Sequence, residues 1–158
     1  MNSTDIIALV ALIVSIVSGI ISLINYYKSQ IRQRRIDTIE AYRTLQTDVL
    51  DKFVSYPKKE VLKLVENLDQ KEIRIAYDDC RAMIAKCEHF AVGVNNKIYD
   101  FDTVDKLGGV HLIYLFDKLL PVIENTRLNQ ENNETPYYSE FEKMVGDLLS
   151  RHKECEID

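Results

Sequence analysis

Residues 6–24 form an uninterrupted run of 19 uncharged, mostly aliphatic side chains, and beyond it apolar residues recur every three or four positions. As a helix rising ~1.5 Å per residue, this run nearly crosses a hydrocarbon layer ~30 Å thick. Tyr26 and Tyr27 follow at once, at the level where amphipathic rings meet lipid headgroups. Helical periodicity then continues through residues 28–55. Ile36 and Ile39 keep the first register, after which the apolar face moves to Tyr42, Leu45, Val49 and Phe53. A long first helix over about 5–55 follows, with a break near Gln30 left open.

The later elements read in the same way. Pro57 suits the start of a second helix that carries Val61, Leu62, Leu64, Val65 and Leu68. A third, over about 70–94, aligns Ile73, Tyr77, Cys80, Ile84, Cys87 and Ala91 on one face, with Ala76, Met83 and Phe90 beside them. "VNNKIYDFD" predicts a turn before a short helix at 103–107, and Gly108 and Gly109 then punctuate the chain. "VHLIYLFDKLLPVIENTR" predicts an apolar helix kinked or stepped at Pro121. After the polar loop "NQENNETP", Thr135 and Pro136 predict the cap and first position of a last helix ending near Lys153. No strand-like alternation interrupts this pattern. The fold class is all-α: one N-terminal transmembrane helix continuing into a helical bundle.

Small residues interrupt the apolar run at a fixed beat. Ala8, Ala11, Ser15, Ser18 and Ser22 are spaced by three, four, three and four, the period of a left-handed helix–helix seam. Gly19 lies off this stripe but forms a small-xxx-small pair with Ser15. Small residues let helix backbones approach closely in lipid, so the stripe predicts self-association. The same residues are also common in membrane helices that stay alone, where serine bonds back to its own helix. In a larger ring, Ser15, Ser18 and Ser22 would line a narrow polar path.

Charge divides the chain into three. Residues 1–27 carry one charged side chain, Asp5; residues 28–35 carry Lys28, Arg32, Arg34 and Arg35 with no acid; residues 36–158 carry 16 basic and 24 acidic residues. The expected parts are accordingly a transmembrane anchor (1–27), a basic juxtamembrane segment meeting lipid headgroups (28–35) and an acidic cytoplasmic helical domain (36–158). Basic residues on the C-terminal flank alone place the N-terminus outside and the body in the cytoplasm. A cleavable signal peptide would put its basic residues before the apolar run and small residues at a cleavage site after it. The acidic body argues against nucleic acid as a partner. In a cytoplasmic domain, Cys80, Cys87 and Cys155 are expected as reduced thiols, the first two in buried packing.

Candidate chemistry is sparse. The chain has no phosphate-binding glycine loop, no nucleophile elbow and no His pair at metal-ligand spacing. Asp100, Asp102 and Asp105 lack the glycine and terminal glutamate of a calcium loop, and Asp100 and Asp102 are read as capping residues. Asp78 and Asp79, just before Arg81, read as a solvated face with local ion pairing. Cys80 or Cys87 with His89 or His152 has no usual zinc spacing. No catalytic, cofactor or metal residue is assigned.

"CEHFAVGVNNKIYD", the later "PVIENTR" and "YYSEFEKMV" resemble an uncharacterised prokaryotic family of small membrane-anchored helical proteins. The resemblance rests on Glu88, Phe90, Gly93, Asp100, Pro121, Arg127, Phe141 and Glu142. It implies an N-terminal membrane helix, a basic stretch and a small helical domain, and brings no activity. On it alone rests the expectation that Glu88 and Arg127 form a buried structural pair.

The combined reading is a single-pass protein of the bacterial inner membrane. It is expected to be a self-associating, non-enzymatic interaction module presenting its bundle to an unidentified protein partner. The alternative is an oligomeric, pore-forming or membrane-perturbing effector of the defence, exclusion, toxin or phage-related kind.

Overall fold

The computed structural model describes residues 3–53, 57–130 and 136–155, and the side chains of all these except 3–6, 8, 9, 154 and 155. Its regular elements, among the described residues, are all helical. Helix α1 runs Ser3–Leu45 and passes into a π-helical stretch, Gln46–Leu50, and a last helical turn, Asp51–Phe53. Helices α2 (Lys58–Glu66), α3 (Lys71–Asn95), α4 (Phe101–Leu128) and α5 (Ser139–Cys155) follow. The chain divides into two compact units, Met1–Ile36 and Asp37–Asp158.

In the first unit every described side chain of residues 7–36 is exposed. The second unit has a continuous apolar core. Tyr42, Leu45, Val49 and Phe53 are all buried in it, as their periodicity predicts. Helix α3 contributes Tyr77, Cys80, Ile84, Cys87, Phe90 and Ala91, with Ile73, Ala76 and Met83 half-buried against them. Helix α3 packs on α5 and α4, and α2 packs on α4. Of the apolar residues expected to face inward from α2, Val61 and Leu64 are buried, while Leu62 is exposed.

Local chemistry fixes the joints. Asp100 caps α4, accepting from Thr103 N at 2.9 Å and Thr103 Oγ1 at 2.6 Å. Its own N–H donates to the buried hydroxyl of Thr38, 2.8 Å away, tying the start of α4 to the 37–45 stretch. After α3 the turn folds back so that Ile98 and Tyr99 both donate to the Gly93 carbonyl. The Tyr99 ring then stacks on Phe90, 5.4 Å between centroids, and lies over Gly93. A Cβ at Gly93 would stand 2.4 Å from that ring.

Four expectations are corrected. No kink falls at Pro121: the Phe101–Leu128 helix breaks instead at Gly108, whose φ 174° and ψ 37° are non-helical. A short helix before the glycine thus meets a longer one after it, as the Gly108 and Gly109 punctuation predicts. The missing Cβ of Gly108 leaves room for the Tyr42 hydroxyl. The last helix begins at Ser139, not at Pro136; Thr135 lies outside the described residues. Asp102 pairs with Arg151 at 2.6 Å instead of capping. Finally, Glu88 and Arg127 do not pair with each other. Glu88 accepts from the backbone N–H groups of Glu140 (3.1 Å) and Phe141 (2.7 Å), and Arg127 donates to Glu142 (2.7 Å) and to the Tyr137 carbonyl (2.8 Å). Both side chains therefore hold the first turn of α5, from α3 and α4 respectively. The cap comes from another helix, so local sequence misplaces the start.

Cys80 and Cys87 are free and buried. Burial is the main reason that their thiols are pushed up to about 11 and about 12, with Asp79 and Glu88 adding to the effect. Cys155 lies in α5, with its side chain outside the described set. With Cys155 changed to serine, the native chain is expected to stay unreactive toward an aromatic disulfide reagent at neutral pH and to release two thiols on unfolding. Rapid titration of either thiol in the native chain would contradict this packing.

Candidate functional site

Three regions merit attention: the exposed apolar helix, the ion-paired surfaces of the bundle, and a groove beside α4. In the first unit, each large aliphatic side chain from Val10 to Ile24 keeps 48–60% of its surface exposed. Moving one such side chain from water into hydrocarbon gains about 1.5–3 kcal/mol, so a bare aliphatic helix is poorly suited to water. One helix among the described residues is long and apolar enough to cross a membrane, and its apolar window has no buried residue.

Ala11, Ser15, Ser18, Gly19 and Ser22 are exposed along this helix, and a Cβ at Gly19 would meet nothing within 4 Å. Ala8 belongs to α1, but its side chain lies outside the described set. Lys28, Arg32, Arg34 and Arg35 are all exposed.

On the bundle, several acidic groups are engaged in surface pairs. Asp105 meets His152 at 3.0 Å and Arg151 at 3.5 Å. Lys58 pairs with Asp117 at 2.7 Å, and Lys86 with Asp48 at 2.5 Å. The Lys86 ammonium holds the Asp48 carboxyl below its ordinary value. Asp78 and Arg81 are 3.8 Å apart, the local pairing expected of that face. Among the described residues, no group of three or more His, Cys, Asp or Glu side chains is placed to hold a metal ion. Glu88 is half-buried and committed to the α5 backbone, whereas the adjacent His89 is exposed.

The groove is the feature that sequence reasoning missed. It encloses about 460 Å³ between the 42–53 stretch and α4. Tyr42, Leu50, Phe53, Leu115 and Lys118 form its buried floor, and His111 and Tyr114 stand exposed at its rim. His111, Tyr114 and Lys118 are spaced by three and four, and so share one side of α4 beyond the bend, with Leu107 lining the groove from before it. Two irregularities of the backbone flank the groove: the π-helical stretch Gln46–Leu50 and the bend at Gly108. Such π-stretches recur at functional sites.

Lys118 is only 3% exposed. Its Nζ donates to the Phe53 carbonyl at 2.5 Å and stands 5.7 Å from the centre of the Tyr114 ring. Burial lowers its pKa from the ordinary lysine value, with Glu60 opposing the shift. In "FDKLLP" this lysine looks like any solvated charge. Its burial depends on the facing 42–53 stretch, which periodicity does not locate.

These features define an all-helical bundle protein with one N-terminal helix long and apolar enough to cross a membrane. The chain belongs to the family described as Domain of unknown function (DUF4760), which matches residues 6–148. No curated protein and no solved structure matches it.

Proposed function

We propose that this protein is a membrane-anchored, self-associating interaction module without enzymatic activity. The supporting observation is the bare aliphatic surface from Val10 to Ile24, which no part of the first unit covers and which hydrocarbon would accept. Exposed Lys28, Arg32, Arg34 and Arg35 follow at the depth where anionic headgroups lie, supporting a single span with the acidic bundle in the cytoplasm of a bacterial cell. The stripe of Ala11, Ser15, Ser18 and Ser22 supports association of such helices, since their small side chains allow close backbone approach. The bundle is then the part offered to a protein partner.

Molar mass by light scattering in mild detergent tests the association. The full chain is expected to form oligomers, and a fragment starting at Ile31 to remain monomeric. The double change Ser15→Leu and Ser22→Leu is expected to reduce the oligomer by widening the seam. A monomeric full chain would overturn self-association. An assembly of four or more copies with an ion conductance abolished by the same two changes would replace the module reading with the membrane-effector one.

A further inference from the structure

We propose that the groove floored by Lys118 binds a single-chain carboxylate amphiphile, with its carboxylate on the lysine and its alkyl tail along the apolar floor. The argument begins with the ammonium group. It has three N–H donors, of which one reaches the Phe53 carbonyl. Among the described residues, no carboxylate forms an ion pair with Lys118; Glu60 acts on it only through its field. A buried charge without a counter-ion is costly, and an incoming anion would supply both the opposite charge and acceptors for the remaining donors.

The surroundings select the rest of the ligand. Leu50, Phe53 and Leu115 are buried floor residues that give an alkyl chain apolar surface. Exposed Leu107 and Tyr114 extend that surface to the rim. A volume of about 460 Å³ falls within the range of small-molecule sites. Asp51, exposed on the wall, disfavours a dianion, so one carboxylate matches one lysine better than a phosphate does. Gly108 also bears on the floor: an added Cβ there would drive into Tyr42, whose ring forms part of it.

The test is equilibrium dialysis of radiolabelled octanoate against the full chain in lipid nanodiscs, with uptake by empty nanodiscs subtracted. Saturable binding at one octanoate per chain is expected. Lys118→Met should weaken it about tenfold or more, the loss of one charge-assisted contact. Leu107→Trp, at the exposed rim, should also weaken it while keeping the lysine and its floor. Octanol, which has the same tail and no charge, should bind at least about tenfold more weakly. Binding unchanged by Lys118→Met would overturn the proposal, as would binding unchanged by Leu107→Trp. Equal affinity for octanol would make the groove a purely apolar docking face and also overturn it. Absence of saturable uptake above empty nanodiscs would do the same, leaving the groove to a protein segment.

Discussion

Gly108→Ala is expected to destabilise the bundle by about 1–3 kcal/mol, the usual cost of overpacking a closed core. An added Cβ would stand 1.8 Å from the Tyr42 Oη and 2.8 Å from its Cζ, and Tyr42 is only 4% exposed. The ring cannot swing away without disturbing its edge contact with Phe90, 6.2 Å between centroids. Among the described residues the Tyr42 hydroxyl makes no hydrogen bond, so Tyr42→Phe removes the nearest obstructing atom at little cost of its own. Denaturant unfolding of the two single variants and the double variant gives the coupling. The double variant should be more stable than the sum of the singles predicts. A Gly108→Ala variant within 0.5 kcal/mol of the parent (about the scatter of neutral surface changes) would contradict the close approach.

Glu88→Ala is expected to cost about 1.5–3 kcal/mol, the range for hydrogen bonds to a charged group. Its carboxylate serves the first turn of α5 twice, through Glu140 N and Phe141 N, and removing it orphans both donors. The negative charge also favours the positive end of that helix. Glu88→Gln keeps an acceptor but not the charge, and should fall between the two. Amide hydrogen exchange is the specific readout: the Glu140 and Phe141 amides should exchange faster in Glu88→Ala, while those in the middle of α3 change less. Arg127 supports the same turn through the Tyr137 carbonyl and Glu142, so Arg127→Ala should combine with Glu88→Ala non-additively. Unchanged exchange at these two amides would remove the capping role.

These contacts mark the limit of what the chain discloses on its own. Periodicity placed α3 within a residue at each end and put its apolar face on the core, because that face repeats over seven turns. Tyr42, Leu45, Val49 and Phe53 were legible for the same reason. Their spacing of three, four and four is that of a regular helix and gives no sign of the π-helical stretch at Gln46–Leu50. The break at Gly108 was legible from the Gly108 and Gly109 pair, whereas the close approach of Tyr42 from α1 to that glycine was not. The start of α5 was displaced to Ser139 because its cap is Glu88, more than fifty residues earlier in sequence. The groove was invisible for a similar reason: Lys118 is an unremarkable residue until the 42–53 stretch closes over it. Contacts that are local in sequence were readable, and those supplied by a distant helix were not.

The measurement that bears most directly on the central claim is alkaline carbonate extraction of membranes from cells making the full chain, beside a variant with Val14→Asp and Val17→Asp. Carbonate releases peripheral proteins and leaves spanning ones in the bilayer. The full chain should remain in the membrane pellet, and the variant should move to the soluble fraction, because an aspartate near the centre of a span costs about 2.5–3.5 kcal/mol. Complete extraction of the unmodified chain would contradict a membrane anchor, and with it the account of what the bare helix is for.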